Sequence, residues 1–126
     1  EVEFPESDTE MAAYGVGQRE YLVSFGTGNN YLSLIFGSGT VAFSVVGNNS
    51  TRISSGNVTF AAGTKVKVSL VPKTGTLTLS GFATGNGTTV GTAFCFDDGA
   101  LFLGGQGGSA NASNGLYSAT IRGLAA

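Results

Sequence analysis

The sequence predicts an all-β domain, an antiparallel β-sandwich of about ten short strands, on three observations. Apolar residues alternate with polar ones at period two along most of the chain, the pattern of half-buried strands. Turn residues interrupt this pattern every few positions, with 21 Gly and only two Pro in 126 residues. The apolar residues are mainly Val, Leu, Phe, Ala and Ile, and the β-branched and aromatic types among them fit a pleated, half-buried surface.

Taken in chain order, residues 2–4 form a first short strand candidate. Residues 7–13 are the one place for a helical turn, with Ser7 or Asp8 able to cap it. Gly15 and Gly17 keep that turn short, and residues 1–18 are expected to be an extended or partly mobile N-terminal segment. Strands follow at 21–25 and 31–36, separated by Gly26-Thr27-Gly28-Asn29, and Gly37-Ser38-Gly39 ends the second. Val41, Phe43 and Val45 then alternate with Ala42 and Ser44 up to the turn Gly47-Asn48-Asn49. Shorter strands are expected at 51–54 and 57–60.

The clearest alternation is residues 64–71, where Val66, Val68 and Leu70 share one face and Lys65, Lys67 and Ser69 the other. With 76–80 and the intervening Pro72-Lys73-Thr74-Gly75 it reads as a hairpin. Candidates at 88–93, 101–104 and 116–124 complete the set. No linker, charge run or strict repeat divides residues 1–126, so the chain is read as a single domain. Because it opens on Glu1, it is either cut from a longer precursor or counted from an internal point.

Composition narrows the function. Charged residues are only 11% of the chain and the net charge is −2, with six Lys and Arg in all. Nucleic acid is disfavoured, since phosphate neutralisation needs clustered cations. No apolar run approaches the roughly 20 residues that cross a bilayer as a helix, so membrane insertion is not expected. The chain has no His, which removes the usual general base near neutral pH, Ser-His-Asp chemistry and most zinc sites. A paired-carboxylate glycosidase is the remaining hydrolase, but Glu1, Glu3, Glu6, Asp8 and Glu10 crowd the N-terminus. The reading is therefore non-enzymatic. The lone Cys95, in Ala93-Phe94-Cys95-Phe96, is expected to be a buried thiol.

Several strings suggest sites, each with a plainer structural reading. Asp97 and Asp98, before Gly99, are the best candidates for Ca2+, the one cofactor considered; a metal-free turn is the favoured reading. The glycine-rich run 104–111 lacks the Lys of a phosphate loop and reads as a connection. For glycan binding the useful groups are amides, hydroxyls and aromatic faces. The candidates are Asn29, Asn30 and Tyr31 in one loop, Asn48 and Asn49 in a second, and Gln106, Asn111 and Asn114 in a third. Asn is also an ordinary turn residue that tolerates left-handed backbone. Tyr31 and Phe102 alternate with core positions, so either could face a partner or a second layer. Asn-x-Ser/Thr sequons at Asn48, Asn49, Asn57, Asn86 and Asn111 are what an Asn-, Ser- and Thr-rich chain produces by chance.

Read in order, the strands resemble a known family. The stretch from Tyr21 to Leu34, with its Ser24-Phe25-Gly26 turn followed by Asn29-Asn30 and another strand, resembles the early strands of laminin-G-like, or concanavalin-A-like, jelly-roll domains. Gly39 to Val46 and Ala62 to Leu70 resemble the next two strands, although the family's Trp in the latter is missing here. Leu101 to Gly105 and Gly115 to Leu124 resemble the closing strands. The likeness spans about Val2 to Leu124, and its motifs are structural, with no catalytic signature.

Within that family the chain looks most like the compact modules of tailed-bacteriophage surface proteins. The resemblance implies a virion component, a head decoration or a tail-fibre or spike module. Its expected partners are other virion subunits (major capsid or fibre proteins), further copies of itself, with a trimer favoured, and host carbohydrate. Two other readings compete: a secreted or cell-surface lectin-like adhesion module, and a carbohydrate-active enzyme on the same fold.

Overall fold

The computed structural model describes residues 1–25, 29–95, 101–103 and 118–119. Ten strands, one short α-helix and a 3-10 turn at Pro72–Thr74 occur among them. They are β1 (Val2–Phe4), α1 (Asp8–Ala12), β2 (Arg19–Phe25), β3 (Tyr31–Phe36), β4 (Val41–Gly47), β5 (Ser50–Val58), β6 (Thr64–Val71), β7 (Thr76–Ser80), β8 (Gly87–Val90), β9 (Leu101–Leu103) and β10 (Ser118–Ala119). Sheet I has the order β10-β1-β6-β7-β8 and sheet II the order β5-β4-β3-β2-β9. Every strand pair is antiparallel. The chain is an all-β sandwich, as the alternation predicts.

The core lies between the sheets. Sheet I contributes Val2, Phe4, Val66, Leu77 and Leu79, and sheet II contributes Leu22, Leu34, Phe36, Val41, Phe43 and Val45. Each such side chain, removed from water, stabilises the fold by about 1.5–3 kcal/mol. Four phenylalanines tie the layers together. Phe4 stacks on Phe60 at 4.7 Å, Phe60 meets Phe82 edge-on at 5.8 Å, and Phe82 meets Phe43 edge-on at 5.7 Å. Offset and edge-on contacts suit the ring quadrupole.

The N-terminal segment is built into the sandwich, its first residues as an extended strand. β1 sits between β10 and β6, with Val2 opposite Val66. Ser7 caps α1 in a capping box, its hydroxyl accepting from Glu10 N while the Glu10 carboxylate accepts from Ser7 N. Asp8 ties the helix to the sandwich, since its carboxylate accepts from Phe60 N at 2.9 Å and its own N donates to Phe60 O. Met11 and Ala12 are thereby buried in the core.

Two further expectations change. Residues 50–58 form one strand, because the Ser55 hydroxyl accepts from Phe43 N at 2.8 Å and the register shifts there instead of the chain turning. Cys95 is exposed, not buried. Its neighbour Phe94 takes the inward position instead. Phe94 belongs to a strap across one end of the sandwich, where Gly91 N, Thr92 N and Phe94 N donate to Gly75 O, Arg52 O and Pro72 O at 2.8, 2.9 and 3.0 Å. The ring lies directly on Gly47, where an added Cβ would come within 2.5 Å of it, so only glycine fits.

Candidate functional site: an asparagine rim

Two of the three Asn-bearing loops meet at one end of sheet II. The reason is strand pairing. β3 and β4 form a hairpin with Tyr31 opposite Val46, so the residues before β3 and after β4 must emerge side by side. The β4–β5 connection is a two-residue turn, Asn48-Asn49, closed by Gly47 opposite Ser50. Both asparagines have positive φ, 51° and 64°, the geometry that matches the right-handed twist of a hairpin and that Asn tolerates best after Gly.

Hydrogen bonds then join the loops. Asn48 N donates to Asn30 Oδ1 at 2.7 Å, and Asn49 N donates to Asn29 O at 3.3 Å. Arg52 Nε donates to Gly47 O at 2.8 Å and braces the turn from below. The arrangement divides the four amides by role. Asn30 is buried and holds the turn in place, whereas Asn29, Asn48 and Asn49 are exposed. Each side-chain amide offers two donors and a two-lone-pair acceptor, a pattern that complements vicinal hydroxyls.

Tyr31 has a different environment. It is almost fully buried, at 8% exposure, on the face of sheet II turned away from the core. Tyr21 meets it edge-on at 5.0 Å, and the Arg19 guanidinium lies over its ring at 5.5 Å. Arg19 Nη1 also donates to Ser33 Oγ at 2.9 Å. Burial pushes the Tyr21 phenol above its ordinary value; neighbouring Tyr31 adds to the rise and Arg19 opposes it. Tyr31 is thus walled in behind the rim, a supporting residue and not an open stacking surface.

Asp97, Asp98, Gln106, Asn111 and Asn114 lie outside the described residues, as does the glycine-rich run. Among the described residues no group of three or more His, Cys, Asp or Glu is placed to hold a metal ion. No helix there is long and apolar enough to cross a membrane. The union of the 29–30 and 48–49 loops escaped the sequence reading, although a signal existed: 31–36 and 41–46 are equal in length around Gly37-Ser38-Gly39. Arg19 was missed because β2 begins two residues earlier than its apolar pattern. No family model, curated protein or solved structure matches this chain.

Proposed function

We propose that this chain is a non-enzymatic, laminin-G-like module of a tailed-phage virion surface, a head decoration or a fibre or spike component. It packs against other virion subunits and against copies of itself, and it offers the asparagine rim to host-surface glycans. The observation that carries the binding role is the convergence of Asn29, Asn48 and Asn49 on one braced edge. A rim fixed by backbone bonds loses little freedom when a sugar docks, which lowers the entropic cost of binding. Neutral amides select neutral, hydroxyl-rich ligands over ions. Such contacts are weak singly, and repetition over a particle converts them into attachment.

The assembly role draws on charge and surface chemistry. A net charge of −2 limits repulsion between copies. The outward face of sheet I carries Ser69, Thr76, Thr78 and Thr88, with Val71 and Val90 exposed at one end. Short hydroxyls on a sheet pack closely against another subunit at small entropic cost, because they have few rotamers to lose.

The test combines a glycan array with titration of the array hits against the ¹⁵N-labelled chain. Asn48→Gly/Asn49→Gly keeps the left-handed turn and removes both amides. Binding should weaken by about tenfold or more, each tenfold being 1.4 kcal/mol, with the melting temperature held. No array hit at millimolar ligand sinks the glycan role. A strictly monomeric chain at every concentration in sedimentation sinks self-assembly.

A further inference from the structure

We infer that Asn86-Gly87 is a spontaneous modification site, gated by the loop that precedes β8, and that its conversion releases one of the aromatic ties of the core. Residues 81–86 link β7 to β8 and carry Phe82 into the core, where it touches both Phe43 and Phe60. The Asn86 side chain closes this loop on itself. Its Oδ1 accepts from Phe82 N and its Nδ2 donates to Phe82 O, both at 2.9 Å. The loop is also pinned to the segment after β5. Ala83 N donates to Thr59 O at 2.9 Å, Thr59 N donates to Thr84 O at 3.2 Å, and the two threonine hydroxyls lie 2.7 Å apart.

Asparagine followed by glycine is prone to self-attack, because no side chain hinders the next backbone nitrogen. Gly87 has φ +129°, and the space where its Cβ would stand is open. In the reaction the Gly87 nitrogen bonds to Asn86 Cγ and the Cγ–Nδ2 bond breaks. Ammonia leaves, carrying the proton lost from Gly87 N, and a succinimide ring forms. Water then opens the ring at either carbonyl, giving aspartate or isoaspartate at position 86. The net change is amide plus water to acid plus ammonia, with no oxidant or other reactant.

The fold controls this chemistry through Cγ. With both amide atoms bonded to the Phe82 backbone, Cγ is not free to rotate toward Gly87 N. Attack therefore proceeds from the state in which the 82–86 loop has let go. The product cannot restore the clamp. A carboxylate still accepts from Phe82 N, but it has no donor for Phe82 O, and isoaspartate also lengthens the backbone. Conversion is irreversible and accumulates with the time the loop spends open.

Peptide mapping by mass spectrometry tests this on the whole chain, held at mildly alkaline pH with and without denaturant. Asn114-Gly115, the same dipeptide, serves as an internal standard for the chemistry in denaturant. Conversion at Asn86 should be at least roughly tenfold slower in the folded chain than in denaturant, as local opening requires. Thr84→Val, which removes the hydroxyl pair, should raise the folded-state rate. Equal folded and unfolded rates would overturn the gating. Chemically converted chain, separated by ion exchange, should melt below the parent, and Asn86→Asp should match its aspartate form. Converted chain that melts with the parent would overturn the release of the core.

Discussion

The two sheets treat their outward faces in opposite ways. Outward positions of sheet I are exposed or half-buried, mostly hydroxyls and lysines with Val71 and Val90 at one end, while Val2, Phe4, Val66, Leu77 and Leu79 take buried inward places. In sheet II the outward positions Ser24, Tyr31, Ser33, Ser44 and Val46 are buried as well, although none belongs to the core between the sheets. A sheet buried on one face needs alternation. A sheet buried on both needs small or apolar residues everywhere, and polar groups there must find partners. Ser33 shows how: its hydroxyl accepts from Arg19 and donates to Ser44 O at 3.3 Å.

The largest expected effect tests the layer both sheets share. Phe43 is fully buried at the centre of sheet II and touches Phe82. Phe43→Ala should cost about 3–5 kcal/mol in chemical denaturation, by lost transfer energy and the cavity left behind. Val68→Ala on sheet I, at a partly buried site, should cost clearly less. Equal costs would mean that Phe43 is no more tightly packed than the half-buried Val68.

A second pair of variants addresses the outward faces directly. Ser33→Val removes the hydroxyl that serves Arg19 and Ser44 and adds bulk to a filled site, so a loss of about 1–3 kcal/mol is expected. Thr78→Val gives up only a surface bond to Thr88 and should stay within about 0.5 kcal/mol. Thermal melts of the two proteins decide it. If both are neutral, the double burial of sheet II has no energetic content.

This contrast also explains what could be read from the residues. The hairpin β6–β7 was legible because lysines and threonines mark its wet face at every second position. β3, Tyr31–Phe36, was legible as a strand, but its pattern did not say that Tyr31 would be covered, since an outward tyrosine looks the same wet or dry. The ends of strands were hardest to read. Ser55 turns one long strand into what looks like two, and Arg19 begins a strand outside its apolar run. At the candidate site the residue types were visible, and the convergence of loops depended on the register of β3 with β4. Which amide would be the brace was not visible, because Asn29 and Asn30 are chemically identical and only the pairing decides which one turns inward.

That division of labour predicts a smaller difference inside the rim. Asn30→Ala leaves Asn48 N without its acceptor in a part-buried setting and should cost about 1–2 kcal/mol. Asn49→Gly keeps the positive φ and removes only an exposed amide, so stability should change by a few tenths of a kcal/mol at most. Urea denaturation of both variants measures this. A neutral Asn30→Ala would show that the turn holds itself.

The smallest effect separates exposed from buried surroundings by titration. Tyr14 and Tyr21 both have phenols raised above the ordinary value, for different reasons. Tyr14 is largely exposed and donates to the Glu6 carboxylate at 3.0 Å, and that bond, followed by the Glu6 charge, holds its proton. Tyr21 is raised first by burial. A group whose folded value is raised contributes stability that is complete below the unfolded value and fades as pH climbs through the folded one. Both contributions therefore disappear on the alkaline side, beyond ordinary tyrosine ionisation. Salt distinguishes them, because it screens an exposed charge and leaves desolvation intact. In ultraviolet titration, high salt or Glu6→Ala should bring Tyr14 back toward its ordinary value and leave Tyr21 raised. If both tyrosines relax together in salt, Tyr21 is not shielded and the outward face of sheet II is open to water.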